Sequence, residues 1–373
     1  MKVLHINCNY TGNQLHRTMI EHLSDFQIDN YVFAPVYEED KVVTSDSKVQ
    51  VSKCFKKWNR IFFNYKSKKI RLALMKNYNI LDFDLIHAYT LFTDGNVAYK
   101  LKKEYPNMQY VVAIRNTDVN TFFKYMFHLR RRGIEIMKEA SAIFFLSNAY
   151  KNEVFNKYIP ENVKKELEEK TYIIPNGIDD FWISECYTEK KEIKDSKVIN
   201  IIYAGRIDAN KNIETTQKAL KLLRKKGYKT SFSVVGKIEN KKVFDKIMKY
   251  ADTYYYGSKN KKELKELYRK NDIFIMPSLT ETFGLVYAEA MSQGLPVIYT
   301  KGQGFDGQFK EGEIGYSVNP RYPKEIVQKV LLIINNYKCM SKRCVRLSKK
   351  FEWKLIVSQY CKIYERIIKN EKK

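Results

Sequence analysis

Short apolar runs alternate with longer amphipathic ones along most of the chain, and this alternation predicts strands and helices taken in turn. In the first half, Val3–Ile6, Tyr31–Ala34, Leu85–Ala88, Tyr110–Ile114, Ile143–Leu146 and Tyr172–Ile174 read as strands. Helices such as Gln14–Leu23 and Asn96–Lys103 fall between them. Pro175-Asn176-Gly177 interrupts the pattern, and Thr188 to Lys197, almost without apolar residues, reads as a linker. The pattern then restarts with strands at Ile199–Ala204, Ser231–Val235, Thr253–Tyr256, Ile273–Met276 and Val297–Tyr299. Helices are expected at Asn212–Lys225, Lys241–Tyr250, Lys261–Arg269 and Leu285–Ser292. Strands alternating with helices imply parallel sheets in α/β layers. A chain of 373 residues exceeds the size at which a single core stops growing. The expectation is two doubly wound domains, 1–180 and 181–351.

Composition narrows the class. With 44% hydrophobic residues, 21 Phe and 28 Tyr, the chain is too apolar for a disordered polyelectrolyte. Only 15 Gly and 8 Pro exclude a collagen-like repeat. The six cysteines include no CxxC, so neither a disulfide scaffold nor a zinc knuckle is indicated, and a reducing compartment fits. The opening MKVLHINCNY reads as a strand and not a signal peptide. Val330–Ile334, among the longest apolar runs, is far short of the roughly 18 residues that would span a bilayer. A soluble, cytoplasmic protein is therefore expected.

The net charge of +25 admits nucleic acid, a membrane surface, a polyanionic small substrate, or simply a Lys-, Ile- and Asn-rich genome. It is uneven, since residues 1–180 hold 27 Lys+Arg against 21 Asp+Glu and the second half is far more basic. Residues 51–80 contain nine Lys+Arg and no acid. Within them Phe55, Trp58, Phe62 and Tyr65 recur at helical spacing, so residues 53–76 predict a basic, aromatic amphipathic helix. Such a helix suits an anionic bilayer face, or packs its aromatic side on the sheet.

Two loops carry candidate chemistry. Gly205-Arg206-Ile207-Asp208-Ala209-Asn210-Lys211-Asn212 follows a predicted strand, and in an open α/β sheet ligands sit beyond the carboxyl ends of strands. A guanidinium and an ammonium on one loop can converge on a phosphate, although a solvated basic loop has the same composition. Ser278 to Ala290 (SLTETFGLVYAEA) follows the strand Ile273–Met276 and opens a helix, where free amides and the helix dipole favour an anion. Glu281 in the loop and Glu289 on the helix could border one crevice. Two acids beside an anion site would repel phosphate, so they suit neutral sugar or ribose hydroxyls. The interval is weak alone, since Glu153/Glu161 and Glu161/Glu169 share it.

Together, Glu281-x7-Glu289 with Phe283-Gly284, the Gly205-Arg206…Lys211 loop, and Ile174-Pro175-Asn176-Gly177-Ile178-Asp179 resemble glycosyltransferase family 4. These are the retaining "group 1" enzymes of the GT-B fold, in which two Rossmann-like domains face each other across a cleft. The resemblance is strongest over residues 172–300, and Phe351-Glu352-Trp353…Tyr360…Tyr364 is similar to the family's last helix, which packs back on the first domain. It implies an N-terminal acceptor-binding domain over 1–180, with a closing helix over 352–373 packed back on it, and a C-terminal nucleotide-sugar domain over 181–351. Arg206 and Lys211 would hold the donor diphosphate, and Glu281 the donor sugar. The amides of Phe283, Gly284 and Leu285 would meet sugar and phosphate, Glu289 the ribose, and Gly12, Gly205 and Gly236 would line the donor site. No metal or other cofactor is implied, and Asp82-Phe83-Asp84 reads as a coincidental match to a metal-binding DxD.

The first domain departs from the family pattern. Gly12-Asn13 stands where a double glycine is common, and Arg115-Asn116-Thr117-Asp118 where a His often precedes Gly-x-Asp. Arg115 is a candidate for an acidic acceptor or the donor phosphate, and Asp118 for an acceptor hydroxyl. An Arg115–Asp118 ion pair is the alternative. His87 is expected at a strand end facing the cleft, or as a structural histidine. The implied activity is hexosyl transfer from a nucleotide-diphosphate sugar, with uridine the expected base, to a glycan or lipid-linked acceptor in surface polysaccharide synthesis. A peripheral position at the inner face of the cell membrane goes with it. An epimerase or phosphorylase of the same fold is the first rival, and a nucleic-acid-binding protein, suggested by charge alone, the second.

Overall fold

A computed structural model describes residues 1–371 apart from 13, 43, 61 and 190. Asn13, Ile61 within the basic aromatic stretch, Lys190 within the expected linker, and residues 372–373 of the closing helix thus lie outside the described residues. The chain divides into two compact units, one of residues 1–146, 150–175 and 353–373, the other of residues 147–149 and 176–352.

The first unit holds a seven-stranded parallel sheet of β1 (Lys2–Ile6), β2 (Asp29–Tyr37), β3 (Val49–Phe55), β4 (Leu85–Ala88), β5 (Tyr110–Ile114), β6 (Ala142–Phe145) and β7 (Thr171–Ile173). Their order is β3-β2-β1-β4-β5-β6-β7. β4, β5 and β6 are buried at every position, as expected of strands with helices on both faces. On one face, the closing helix Trp353–Glu371 lays Trp353, Val357, Tyr360 and Tyr364 into a core with Val3, Tyr89 and Phe144.

The second unit holds β8 (Val198–Ala204), β9 (Lys229–Val235), β10 (Thr253–Tyr255), β11 (Ile273–Ile275), β12 (Val297–Thr300) and β13 (Gly315–Val318). The order β10-β9-β8-β11-β12-β13 is again all parallel, and GT-B glycosyltransferases have this two-sheet α/β architecture. Chain direction across the sheet reverses between β8 and β11. The carboxyl ends of those two strands are therefore the switch point of the sheet, where ligands bind in open α/β folds.

Two strands escape the hydrophobic pattern, and both are edges. β3 (VQVSKCF) interleaves polar residues, and β13 has only four residues. The loss of β3 corrects the reading of residues 53–76 as one helix. Phe55 ends the strand with its ring buried, a 3-10 turn spans Lys57–Arg60, and the helix begins only at Phe63. Trp58, Phe62 and Tyr65 nevertheless gather, with Trp58 stacked on Tyr65 at 6.0 Å and edge-on to Phe62 at 6.1 Å, each about half exposed. Thr188 to Lys197 is irregular, and its described residues belong wholly to the second unit. Among the described residues no helix is long and apolar enough to cross a membrane.

Candidate functional site

Within the second unit, the loop after β8 and the loop after β11 meet at the point where strand order reverses. Asn210 joins them. Its backbone carbonyl accepts from Leu279 N at 2.7 Å, and its side-chain oxygen accepts from the Thr280 hydroxyl at 2.7 Å and the Thr280 amide at 3.1 Å. Its side-chain nitrogen donates to Thr280 O at 2.9 Å. Two residues on, Asn212 adopts a left-handed φ of 53° and donates to the carbonyls of Pro277 (3.0 Å) and Pro320 (2.6 Å). Asparagine tolerates that backbone better than most residues.

This stitching brings Lys211 to Glu281. Lys211 Nζ donates to Glu281 Oε2 at 2.6 Å, and the two side chains are only 13% and 12% exposed. Ser278 Oγ approaches the same carboxylate oxygen at 3.4 Å, and Thr282 N donates to the other at 3.1 Å. Asp208 fixes the loop by accepting from Lys211 N at 2.9 Å. Arg206 behaves differently. Its side chain is 67% exposed and its guanidinium stands 3.8 Å from Asp208. It therefore remains able to swing, whereas Lys211 is held.

Glu281 also anchors a third loop, which the sequence reading passed over. Gln303 Oε1 accepts from Glu281 N at 2.9 Å, and Gly304 N donates to Glu281 O at 3.0 Å. Gly284 then caps the helix Leu285–Ser292 with φ 77°, and a Cβ there would lie 2.4 Å from the Tyr287 ring. The amides of Gly284, Leu285 and Val286 open this helix and have no intrahelical acceptor. Phe283, next to them, is buried with its ring against Phe305 and Phe351. Gly236, expected to line a ligand, meets main chain instead, since a Cβ would fall 1.9 Å from the carbonyl oxygen of Gly205. Backbone packing is thus sufficient reason for glycine at that position.

Glu289 sits one turn further along the helix. Burial, with the Asp179 carboxylate adding to it and Lys261 opposing, pushes its carboxyl up to about 7. Asp179, the last residue of the Ile174–Asp179 motif, caps the short helix Asp180–Ser184 and is ion-paired with Lys261. Because the folded pKa is raised, the protonated form is favoured in the fold, and stability from this group is lost as pH rises from about 4.5 through about 7. Glu289→Gln is therefore expected to gain about 1–3 kcal/mol on the wild type between pH 5 and pH 8, read from urea midpoints.

The first unit's candidates part company. Asp118 is 1% exposed and accepts from the amides of Leu91 (3.1 Å), Phe92 (3.1 Å) and Arg115 (2.9 Å). Its oxygens are spent on the backbone, which corrects its assignment to an acceptor hydroxyl. His87 is fully buried, stacked on Tyr89 at 4.3 Å and bonded through Nδ1 to the Tyr364 hydroxyl at 2.6 Å, so it is a core histidine and not one open at a strand end. Arg115 is half-buried, with Nε donating to Tyr89 O at 3.4 Å. Gly12 ends a 3-10 turn, with nothing within 4 Å of a Cβ built there. Asp84 accepts from Lys2 N at the start of β1, and Asp82 from the Asn79 side chain in a 3-10 turn, so the two serve separate local structures.

Asn210, Asn212, Ser278, Gln303, Asp179 and Lys261 are site residues that the sequence did not reveal. Asparagines in a Gly- and Asp-containing loop were the available signal for the first two. Asn210→Ala removes the side-chain bonds to Thr280 and leaves the backbone bond to Leu279 in place. It is expected to cost about 0.5–1.5 kcal/mol of stability in the second unit by chemical denaturation.

Comparison with known proteins agrees with this geometry. A probable sucrose-phosphate synthase of Thermosipho melanesiensis is 29% identical over 255 residues, 65% of this chain and 59% of that protein. The match thus spans less than two thirds of that relative's length. Among solved structures, sucrose-phosphate synthase of Thermosynechococcus elongatus superposes with a TM-score of 0.74 at 16% identity, covering 99% of this chain and 100% of that one. Anabaena Alr3699/HepE, solved with UDP-glucose, gives 0.67 at 14% identity, covering 98% and 100%. Residues 187–351, which contain the loops after β8, β11 and β12, match the family described as Glycosyl transferases group 1.

Proposed function

We propose that the chain is a retaining, family 4 hexosyltransferase that takes a sugar from a uridine-diphosphate donor and passes it to a glycan or lipid-linked acceptor. The observation that carries this reading is the buried Lys211–Glu281 pair beside the amide-rich start of the helix Leu285–Ser292. Three kinds of group that recognise a sugar diphosphate meet there: a fixed ammonium, a carboxylate for hydroxyls, and free backbone donors.

In this reading Lys211 keeps one N–H on Glu281 and offers the others to the diphosphate, while Arg206 swings onto it from solvent. Cleavage of the anomeric bond leaves charge on the diphosphate, so these cations and amides stabilise the transition state more than the ground state. Glu281 takes the sugar hydroxyls and Glu289 the ribose. The departing phosphate accepts the proton of the acceptor hydroxyl, which removes the need for a side-chain base. Arg206 and Lys211 supply the positive charge in this scheme, so transfer is expected to persist in EDTA. The bound UDP-glucose of the Anabaena protein supports uridine as the base.

Arg115 and the 1–175 unit are assigned to the acceptor. The exposed trio Trp58, Phe62 and Tyr65, with Lys56 and Lys69 nearby, supports docking on an anionic membrane face where a lipid-linked acceptor and a growing surface polysaccharide would be met. Calorimetry with UDP and a panel of UDP-sugars tests the donor site. UDP release that requires an added glycan or lipid-linked acceptor separates transfer from epimerisation or phosphorolysis. A chain that binds no nucleotide diphosphate would end the proposal.

A further inference from the structure

A second basic concavity lies in the same unit, away from the loops after β8 and β11. It has a volume of about 610 Å³, between Tyr187, Thr188, Glu189 and Lys191 on one side and the helix Tyr337–Ser348 on the other. That size falls in the range of small-molecule sites. Lys338, Lys342, Arg346 and Lys349 repeat at intervals of four, four and three and share one face, and the helix contains no acid. Lys191 faces them from the opposite wall.

Few carboxylates offset these charges. Lys338 pairs with Glu192 at 2.5 Å. Lys191, Lys342, Arg346 and Lys349 form no ion pair with another described residue. Glu189, the one acid on the lining, is engaged by the Tyr187 hydroxyl at 3.4 Å. Like charges at such spacing repel one another by a few tenths of a kcal/mol per pair. Burial also pushes the Lys191 ammonium down to about 8.

An exposed basic helix face is ordinarily just solvated. Here the facing wall is fixed before any ligand arrives. Tyr187 N donates to Ser292 O at 2.8 Å, Lys191 Nζ donates to Tyr268 O at 3.0 Å, and the Tyr187 ring stands beside Lys191 with 5.8 Å between ammonium and centroid. A flat ring, a half-buried ammonium and a row of cations around a half-open hollow of this size suit an anion with a compact body better than an extended polyanion. We propose that this cavity binds a small phosphate-bearing molecule, independently of the donor loops.

Calorimetric titration of the full chain with inorganic pyrophosphate, in the presence and absence of saturating UDP, tests this. A pyrophosphate event that survives UDP is expected. Lys342→Gln with Arg346→Gln should weaken it at least about tenfold and leave UDP affinity unchanged. The charge-keeping pair Lys342→Arg with Arg346→Lys should retain it, which separates charge from loss of fold. No pyrophosphate binding beyond what UDP displaces, or equal binding by wild type and the Gln pair, would overturn the proposal.

Discussion

Lys211→Ala is expected to lower sugar transfer by about 100- to 1000-fold, the size of effect seen when one fixed stabiliser of developing charge is removed. Two losses combine. The ammonium no longer meets the leaving diphosphate, and Glu281, only 12% exposed, loses the cation that faces its carboxylate. The second loss distinguishes Lys211 from Arg206, whose exposed guanidinium leaves no buried charge behind. Arg206→Ala should therefore lower kcat while barely moving the unfolding midpoint, whereas Lys211→Ala should lower both. Pairing Lys211→Ala with Glu281→Gln is expected to restore most of the stability and none of the turnover. Steady-state kinetics alongside urea unfolding reads both arms, and full activity in Lys211→Ala would remove it from the mechanism.

Acid is expected to loosen the first unit through its buried histidines. Burial pulls His5 down to about 4 and His16 to about 3, and His87 is also lowered well below the ordinary value by burial. The unfolded chain binds these protons at about 6.5 and the folded one does not, so stability rises with pH across this window and is lost as pH falls from about 6.5 towards 4. A shift like that of His5 corresponds to about 3 kcal/mol. Two carboxyls oppose the trend, since burial raises Asp94 to about 7 and Asp118 to about 6, and both favour the fold as pH drops. Three imidazoles against two carboxyls leave a net acid sensitivity. Urea midpoints should fall between pH 6.5 and 4.5, and His5→Gln or His16→Gln should each flatten that slope. An unchanged slope in both variants would contradict this account. The closing helix is the element expected to respond, because Tyr364 bonds His87 directly.

The loops proposed to hold the donor were legible because their chemistry is local. Arg206 and Lys211 are five residues apart on one loop, and Glu281, Gly284 and Glu289 belong to one strand–loop–helix unit, so that setting and the family resemblance, more than spacing, singled them out. The Lys211–Glu281 ion pair was not legible, because 70 residues separate the partners and bonds from Asn210 and Asn212 bring the loops together. The first-unit candidates failed for the same reason in reverse. Asp118 and His87 carry groups that suit an active site, yet backbone amides and the closing helix, remote in sequence, consume them. The aromatic stretch misled because Phe55 keeps helical phase with Trp58 and Phe62 although it belongs to an edge strand. Polar interruptions in β3 hid that strand from any count of apolar residues.

The amino-acid order by itself determined the alternation of strands and helices, the presence of two sheets, and the loops that bear cations and carboxylates. These follow from hydrophobic period and from turn chemistry, which act over a few residues at a time. Tertiary structure alone decided which of those groups are held and which stay mobile, which histidines and carboxyls are buried beyond reach, and where a second cluster of cations closes into a cavity. Burial and ion pairing depend on neighbours that parallel crossovers bring from tens or hundreds of positions away, and no local pattern records them.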